Sequence, residues 1–436
     1  MTKTTRRAFL GSSAALTVGL PYLASGQNPA STISKQKPSI KTNPLAGVER
    51  ENVTITDVKV TLLSFKLPKD QQWVSATFLV PKTDAFLVEV FTDQGVVGIG
   101  ESSPYRGMER MRKYVEEIIK PNIVGKNPFD VELLTASEEA AWAGVDVALW
   151  DIIGKVKNQP VYQLLASGET DPHIRMYASG GVQYAWYDDP EQLLDEALMH
   201  KAKGYTAFKY RLGTDWKSDN VTVDKFVPLL EKLRQAVGED FDLMQEHNMR
   251  LTLEENLEMA PALEANNILW LEEPLKQNDP DAVEKHVLLK QKLDKEMVSG
   301  GDKFPTRTSF KPYIDRNAFD IVQNDVNQTG LTEGWYIAHM AQLSDKYCVP
   351  HNWHGGLTTM ANAHLVAAIP NRLMLELNQT YNPFKEEIFK DPLVVKDGYL
   401  DIPDRPGFGM ELIDDVEKKY PYFEGGWAIT NPNLSN

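Results

Sequence analysis

The sequence predicts an α/β protein: a TIM-type (β/α)7β barrel carrying an α+β capping domain formed by the N-terminal region and the C-terminal tail. Three observations predict it. Residues 53–155 run strands first and helices afterwards, the order of an α+β unit. From 171 to 377, short apolar strands alternate with helical segments at intervals of roughly 25–30 residues, as repeated βα units do. Most of those strands end on a charged or polar residue, which suits the C-terminal mouth of a barrel.

Taken in order, residues 1–26 read as a targeting segment. The paired Arg6-Arg7 precedes a modestly apolar run (Leu16, Val18, Leu20) and the small-residue stretch Leu23-Ala24-Ser25-Gly26, a twin-arginine type of signal. The run is too short for a convincing membrane span, and the expected location is periplasmic or secreted. Residues 27–50, rich in Ser, Thr, Lys, Pro and Asn, read as a linker. The cap is expected at 51–170. Val53–Phe65 and Ala85–Thr92 are strands, Asp93-Gln94-Gly95 is a hairpin-type turn, Val96–Ile99 is a third strand, and Ala136–Lys155 is a long amphipathic helix.

The barrel is expected at 171–377, with strands at Ile174–Ala178, Ala207–Arg211, Phe241–Glu246, Ile268–Glu272, Met297–Gly300, Ile321–Asp325, Cys348–His351 and Leu373–Leu377. Residues 378–436 hold no further βα unit and should return to pack beside the cap.

Composition narrows the function. The chain has 436 residues, 42% hydrophobic and 25% charged, an ordinary globular balance. A formal charge of −15 argues against nucleic-acid binding and against docking on anionic membranes. Cys348 is the only cysteine, so an intrachain disulfide and a cysteine metal site are both excluded.

The chemistry lies in the strand ends. In Trp270-Leu271-Glu272-Glu273-Pro274, neighbouring residues of a strand face opposite ways, so one glutamate, Glu272, is expected inward and Glu273 on the other face or behind it. Glu246 precedes Glu272 by 26 residues and Asp302 follows it by 30, one repeat each. Three carboxylates converging at a barrel mouth repel one another unless a cation lies between them, and an all-oxygen set suits Mg²⁺. Asp325 and His351 are again 26 residues apart. A carboxylate beside an imidazole fixes its tautomer and raises its basicity, making a general acid or base. His247 is out of phase with Glu246 and is expected in the surrounding shell, while His354 could reach the mouth. Lys209 and Arg211 share one face of their strand and could hold a substrate carboxylate and its developing charge. Asn248 and Glu376, at the third and eighth strand ends, complete the candidate substrate-binding set.

The stretches Asp146–Lys155, Phe208–Gly213, Trp270–Pro274, Asp325–Gly330, Pro350–Trp353 and Arg405–Gly409, in this order and spacing, resemble the mandelate racemase/muconate lactonizing enzyme branch of the enolase superfamily. The resemblance implies Mg²⁺ held by Glu246, Glu272 and Asp302, abstraction of the proton α to a carboxylate, an Asp325–His351 base, and Glu376 bonded to the substrate carboxylate. His351, standing where muconate lactonizing enzymes have lysine, implies the mandelate racemase-like group. Two departures matter. The third ligand is Asp302 where the family usually has Glu, and the second lysine of its Lys-x-Lys is Arg211. Arginine stays protonated and makes a poor base, so a racemase with bases on both faces fits less well than a one-base dehydratase of a sugar acid. A racemase or epimerase of a 2-hydroxy acid or dipeptide, a glycoside hydrolase using Glu272 and Glu376, and a catalytically silent sugar-acid binder are the alternatives. Specificity is expected from Gln71–Phe78 and Ser102–Met108, and the family suggests a homo-oligomer.

Overall fold

The computed structural model describes residues 41–430, apart from 76–77, 135–138, 183, 185, 187, 214–215 and 217–219. The signal-like segment 1–26, most of the linker, the first residues of the expected helix at 136 and two residues of the Gln71–Phe78 loop lie outside them. Among the described residues no helix is long and apolar enough to cross a membrane.

The cap is built on a three-stranded antiparallel sheet, Ile55–Lys66, Lys82–Thr92 and Val97–Ser102, with the second strand central. Helix Ala141–Val156 lies across it with 13 of its residues buried, because it is covered by the sheet on one side and by the barrel helix Val326–Leu343 on another. The approach is close enough to require glycine: a Cβ on Gly100 would stand 1.8 Å from the Gly144 carbonyl oxygen, and one on Gly98 would stand 2.1 Å from that of Ala148. Two acids on this helix clamp distant segments. Asp151 accepts from the backbone N–H of Ile99 and of Phe408, each at 3.0 Å, and Asp146 accepts from the N–H groups of Leu331 and Thr332.

Eight parallel strands form the barrel: His173–Ser179, Ala207–Arg211, Asp242–Glu246, Ile268–Glu272, Met297–Gly300, Ile321–Val322, Tyr347–Cys348 and Leu375–Asn378. The last pairs with the first, and a bridge between Cys348 and Arg372 joins the seventh to the segment leading into the eighth. The sixth and seventh strands are shorter than the sequence suggests. Asp325 and His351 therefore stand beyond the ladder, in the loops, with Asp325 capping helix Val326–Leu343.

The C-terminal tail divides its contacts. Hairpin strand Tyr399–Asp401 pairs with the first barrel strand, the Pro160–Gly407 bridge and the Leu63–Pro421 bridge tie the tail to the cap region, and Ile429–Thr430 pairs with Phe78–Val80. The tail thus touches barrel as well as cap.

Candidate active site

Inside the barrel, side chains of alternate residues point to the axis. Register sets their levels. Arg211 is paired with Glu246, Glu246 with Glu272, and Glu272 with Ser299. Two residues earlier on each strand lie Lys209, Met244, Trp270 and Met297, and Met244, Trp270 and Met297 belong to an apolar cluster that plugs the barrel below the acids. Asp302 lies outside this ladder, three residues beyond Ser299 and past Gly301 at φ +100°.

The buried Lys209 ammonium ties three of the acids together. It is bonded to Glu272, lies 2.8 Å from Glu376 Oε1 and 3.6 Å from Glu246 Oε2. Burial opposes its charge, but these three acids hold it well above the usual lysine range, so it remains an ammonium. Glu272 also accepts from Trp270 Nε1 at 3.3 Å and from Gln323 Nε2. Glu376 accepts from the Asn352 N–H at 2.7 Å. Arg211 is immobilised: Nη1 donates to the Gly180 carbonyl at 3.0 Å, Nη2 lies 3.9 Å from Glu246, and the guanidinium stacks 4.1 Å from the Trp353 ring centre. Asn248, at φ +49°, donates its N–H to Glu246 Oε1 at 3.0 Å, and its side-chain oxygen lies 3.5 Å from Arg250.

Glu273 departs from the alternation. A φ of +44° turns it out of strand geometry, and it is buried beside Asp302, with Lys303 Nζ 3.1 Å away. Of the two places expected for it, the other face of the strand or behind the acids, the structure has the second, because the strand has ended and the period of two no longer applies. Four carboxylates are consequently packed as two contacting pairs, Glu246 with Glu272 and Glu273 with Asp302. Burial pushes Glu272 up to about 8, with Glu246 and Glu376 adding to it against Lys209. Burial and Asp302 likewise drive Glu273 far above the carboxylate range. Asp302 Oδ1 is buried and has no hydrogen-bond partner. So many buried carboxylates, with an acceptor oxygen left over, are donors of the kind a hard divalent cation takes.

Across the mouth, Asp325 Oδ2 accepts from His351 Nδ1 at 2.9 Å and from His354 Nε2 at 2.7 Å. The ligand atoms of Asp325, His351 and His354 lie within 4.8 Å of one another, close enough to hold an ion, but the two short distances are those of hydrogen bonds to one carboxylate oxygen. Burial disfavours a charged His351, yet Glu376 and Asp325 carry it up to about 9. With Nδ1 engaged, Nε2 is its free ring nitrogen. Asp325 is held well below the usual carboxylate range by the same two imidazoles despite its burial.

The cap reaches this side. Glu101 accepts from the N–H groups of Gly355 (3.3 Å) and Thr358 (3.0 Å), fixing the turn after His354. Tyr105 donates to the Trp353 carbonyl at 3.1 Å and packs 5.4 Å from the His354 ring. Ser103 N–H donates to the Asn327 carbonyl at 3.0 Å, so the Ser102–Met108 segment sits above the Asp325 strand end. Trp73 packs 5.6 Å from Trp353, and Trp427 of the tail lies 5.1 Å from Phe78 and 4.6 Å from Tyr105.

The structure thus brings Lys209, Arg211, Glu246, Glu272 and Glu376 into one cluster, joins His351 to Asp325, and sets Asp302 with Glu273. His247 is in the surrounding shell, buried between Gln245 and Asn256, and burial takes it down to about 4. Glu101, Gln323, Trp353 and Trp427 were not singled out as site residues. Gln323, two residues before Asp325, was open to a period-of-two argument; Trp427 had no local signal.

Comparison with known proteins agrees with this architecture. A family model for the mandelate racemase/muconate lactonizing enzyme N-terminal domain matches residues 59–166, and one described as enolase C-terminal domain-like matches 192–416. The chain belongs to the mandelate racemase/muconate lactonizing enzyme family of the enolase superfamily. It is 31% identical to arabinonate dehydratase of Saccharolobus solfataricus, over 76% of this chain and 89% of that one. It is 29% identical to D-xylonate dehydratase of Haloferax volcanii, over 86% and 90%. Among solved structures it resembles the 3,6-anhydro-D-galactonate cycloisomerase of Zobellia galactanivorans (TM-score 0.71, 27% identity, 84% of this chain and 99% of that one). It also resembles an enolase-superfamily member of Polaromonas sp. JS666 (TM-score 0.75, 28%, 86% and 99%). The chain is therefore an enzyme of this superfamily, among relatives that are hydro-lyases.

Proposed function

We propose that the protein dehydrates a sugar acid, an aldonate or aldarate, to the 2-keto-3-deoxy acid, with Mg²⁺ held by Glu246, Glu272 and Asp302. The observation that carries the reading is asymmetry: one free imidazole nitrogen on the Asp325 side, and on the other Lys209, ion-paired to Glu272 and Glu376, and the immobilised Arg211. A bound Mg²⁺ would supply positive charge to the substrate carboxylate and so acidify its α-proton. Lys209 and Arg211 orient that carboxylate, with Asn248 beside them, and Glu376 bonds it in its protonated form. Neutral His351 takes the proton from C2 while Asp325 holds its other nitrogen. Protonated His351 then returns the proton to the departing C3 hydroxyl, water leaves, and the resulting enol tautomerises to the ketone. Racemisation would need a second base where Arg211 lies.

The sequence of the first 26 residues supports export by a twin-arginine route to the periplasm or beyond, and the family supports a homo-oligomer. Both are part of the proposal. Its test is an assay of arabinonate, xylonate, gluconate and the corresponding aldarates, with and without EDTA, and with His351→Asn as control. Formation of 2-keto-3-deoxy product that stops in EDTA and in the variant is expected. A product formed without loss of water, or full activity of His351→Asn, would overturn the dehydratase reading.

A further inference from the structure

Asp325 serves two imidazoles with a single oxygen. Oδ2 accepts from His351 Nδ1 at 2.9 Å and from His354 Nε2 at 2.7 Å, while Oδ1 accepts from the Asn327 N–H at 3.0 Å. The two rings are not equivalent. The His351 side chain is 13% exposed and that of His354 is 1% exposed. His354 Nδ1 is buried without a hydrogen-bond partner, which leaves Nε2, directed at Asp325, as the bonded nitrogen of the ring. Its place is set by the cap: Glu101 bonds the turn at Gly355 and Thr358, and Tyr105 covers the ring.

An acceptor oxygen that takes a second N–H has less negative charge to offer the first. We infer that His354 is a positioning residue that limits the basicity of His351 by sharing Asp325 Oδ2. The groups facing the pair are Asp325 on both, Glu376 and Asp302 toward His351, and Glu101 and Tyr105 toward His354. The carboxylates among them favour protonated His351, and His354 is the neighbour that weakens the pull of Asp325. It touches neither substrate groups nor the acid cluster.

The inference rests on His351 as the proton-transfer group of the proposed reaction, but its test requires no turnover. The full chain, with histidines labelled with ¹⁵N and Mg²⁺ present, is titrated by NMR, the His351 signals being assigned by their loss in His351→Asn. In His354→Leu the His351 midpoint should rise by about half a pH unit or more, the scale of one hydrogen bond to a charged partner. In His354→Gln, whose amide N–H can still reach Asp325, it should stay within ~0.2 unit of the parent. Should the leucine variant not fold, His354→Asn, too short to make the bond, carries the same expectation. An unchanged or lowered midpoint without the bond, or an equal rise in His354→Gln, overturns the inference. A shifted midpoint in a protein that dehydrates none of the acids tested would leave His354 its role and remove the proposed reaction instead.

Discussion

The same strands carry two chemically opposite layers. At the level of Met244, Trp270 and Met297 the barrel axis is filled with apolar side chains, past which Lys209, of the same level, reaches to the acids; two residues further along the strands it is filled with Arg211, Glu246 and Glu272. The lower layer excludes water and holds the strands in register. The upper layer stores charge that the lower one, being dry, cannot screen. A rigid apolar floor makes a charged roof possible, because the carboxylates have no water beneath them and no room to move apart.

That contrast can be broken from either side. The largest expected effect is on the upper rim. His351→Asn should lower kcat by roughly 10²- to 10⁴-fold, the usual worth of a general acid–base. Met244→Ala should act on stability instead. Truncating this fully buried side chain should cost about 2–5 kcal/mol in urea unfolding, with kcat per folded molecule much closer to normal. If the alanine variant loses activity without losing stability, the floor is part of the chemistry and the two-layer distinction fails.

A pH series sharpens the comparison further. His351 is raised from 6.5 to about 9. Its protonated form therefore contributes stability that is complete below about 6.5 and is lost as pH rises through about 9, whereas the neutral base of the folded enzyme is gained at about 9. kcat/KM should thus climb as pH passes through about 9, the unfolding free energy should fall between the two values, and His351→Asn should flatten the stability slope. The smallest effect is expected at the lid. Trp427→Ala removes contacts to Phe78 and Tyr105 and should raise KM by roughly three- to tenfold, near 1 kcal/mol of aromatic packing, leaving kcat within about twofold of the parent. Steady-state kinetics would show whether the tail acts on binding or on chemistry.

Much of this was legible in the chain. The strands Ala207–Arg211, Ile268–Glu272 and Met297–Gly300 have the limits that hydrophobic pattern and terminal charge imply, since a buried strand must be apolar until it surfaces. The spacing of Asp325 and His351 reflects a repeat length, and repeat length is a local property. Less visible was whatever depended on where a strand stops. The separation of 30 residues places Asp302 one repeat after Glu272 but not at which height: the ladder pairs Glu272 with Ser299, and Asp302 comes three residues later, past Gly301. The period of two leaves Glu273 either on the other face or behind the acids, because it cannot report the backbone at φ +44° that ends the strand.

By itself, then, the amino-acid sequence determined the cap-and-barrel architecture and the family, together with the candidate acids, bases and cations at the strand ends. These follow from periodicities of two and of about four, and from repeat spacing, all carried by neighbours along the chain. Only the tertiary structure decided which groups share an atom: Lys209 among Glu246, Glu272 and Glu376, His354 beside His351 on Asp325, and Glu101 and Trp427 reaching the mouth from opposite ends of the sequence. Those contacts depend on register, on the layer at which each strand ends and on how closely Gly98, Gly100 and Gly144 let the cap helix approach its sheet. Distances of that kind are set by packing between segments far apart in the chain, which no local pattern encodes.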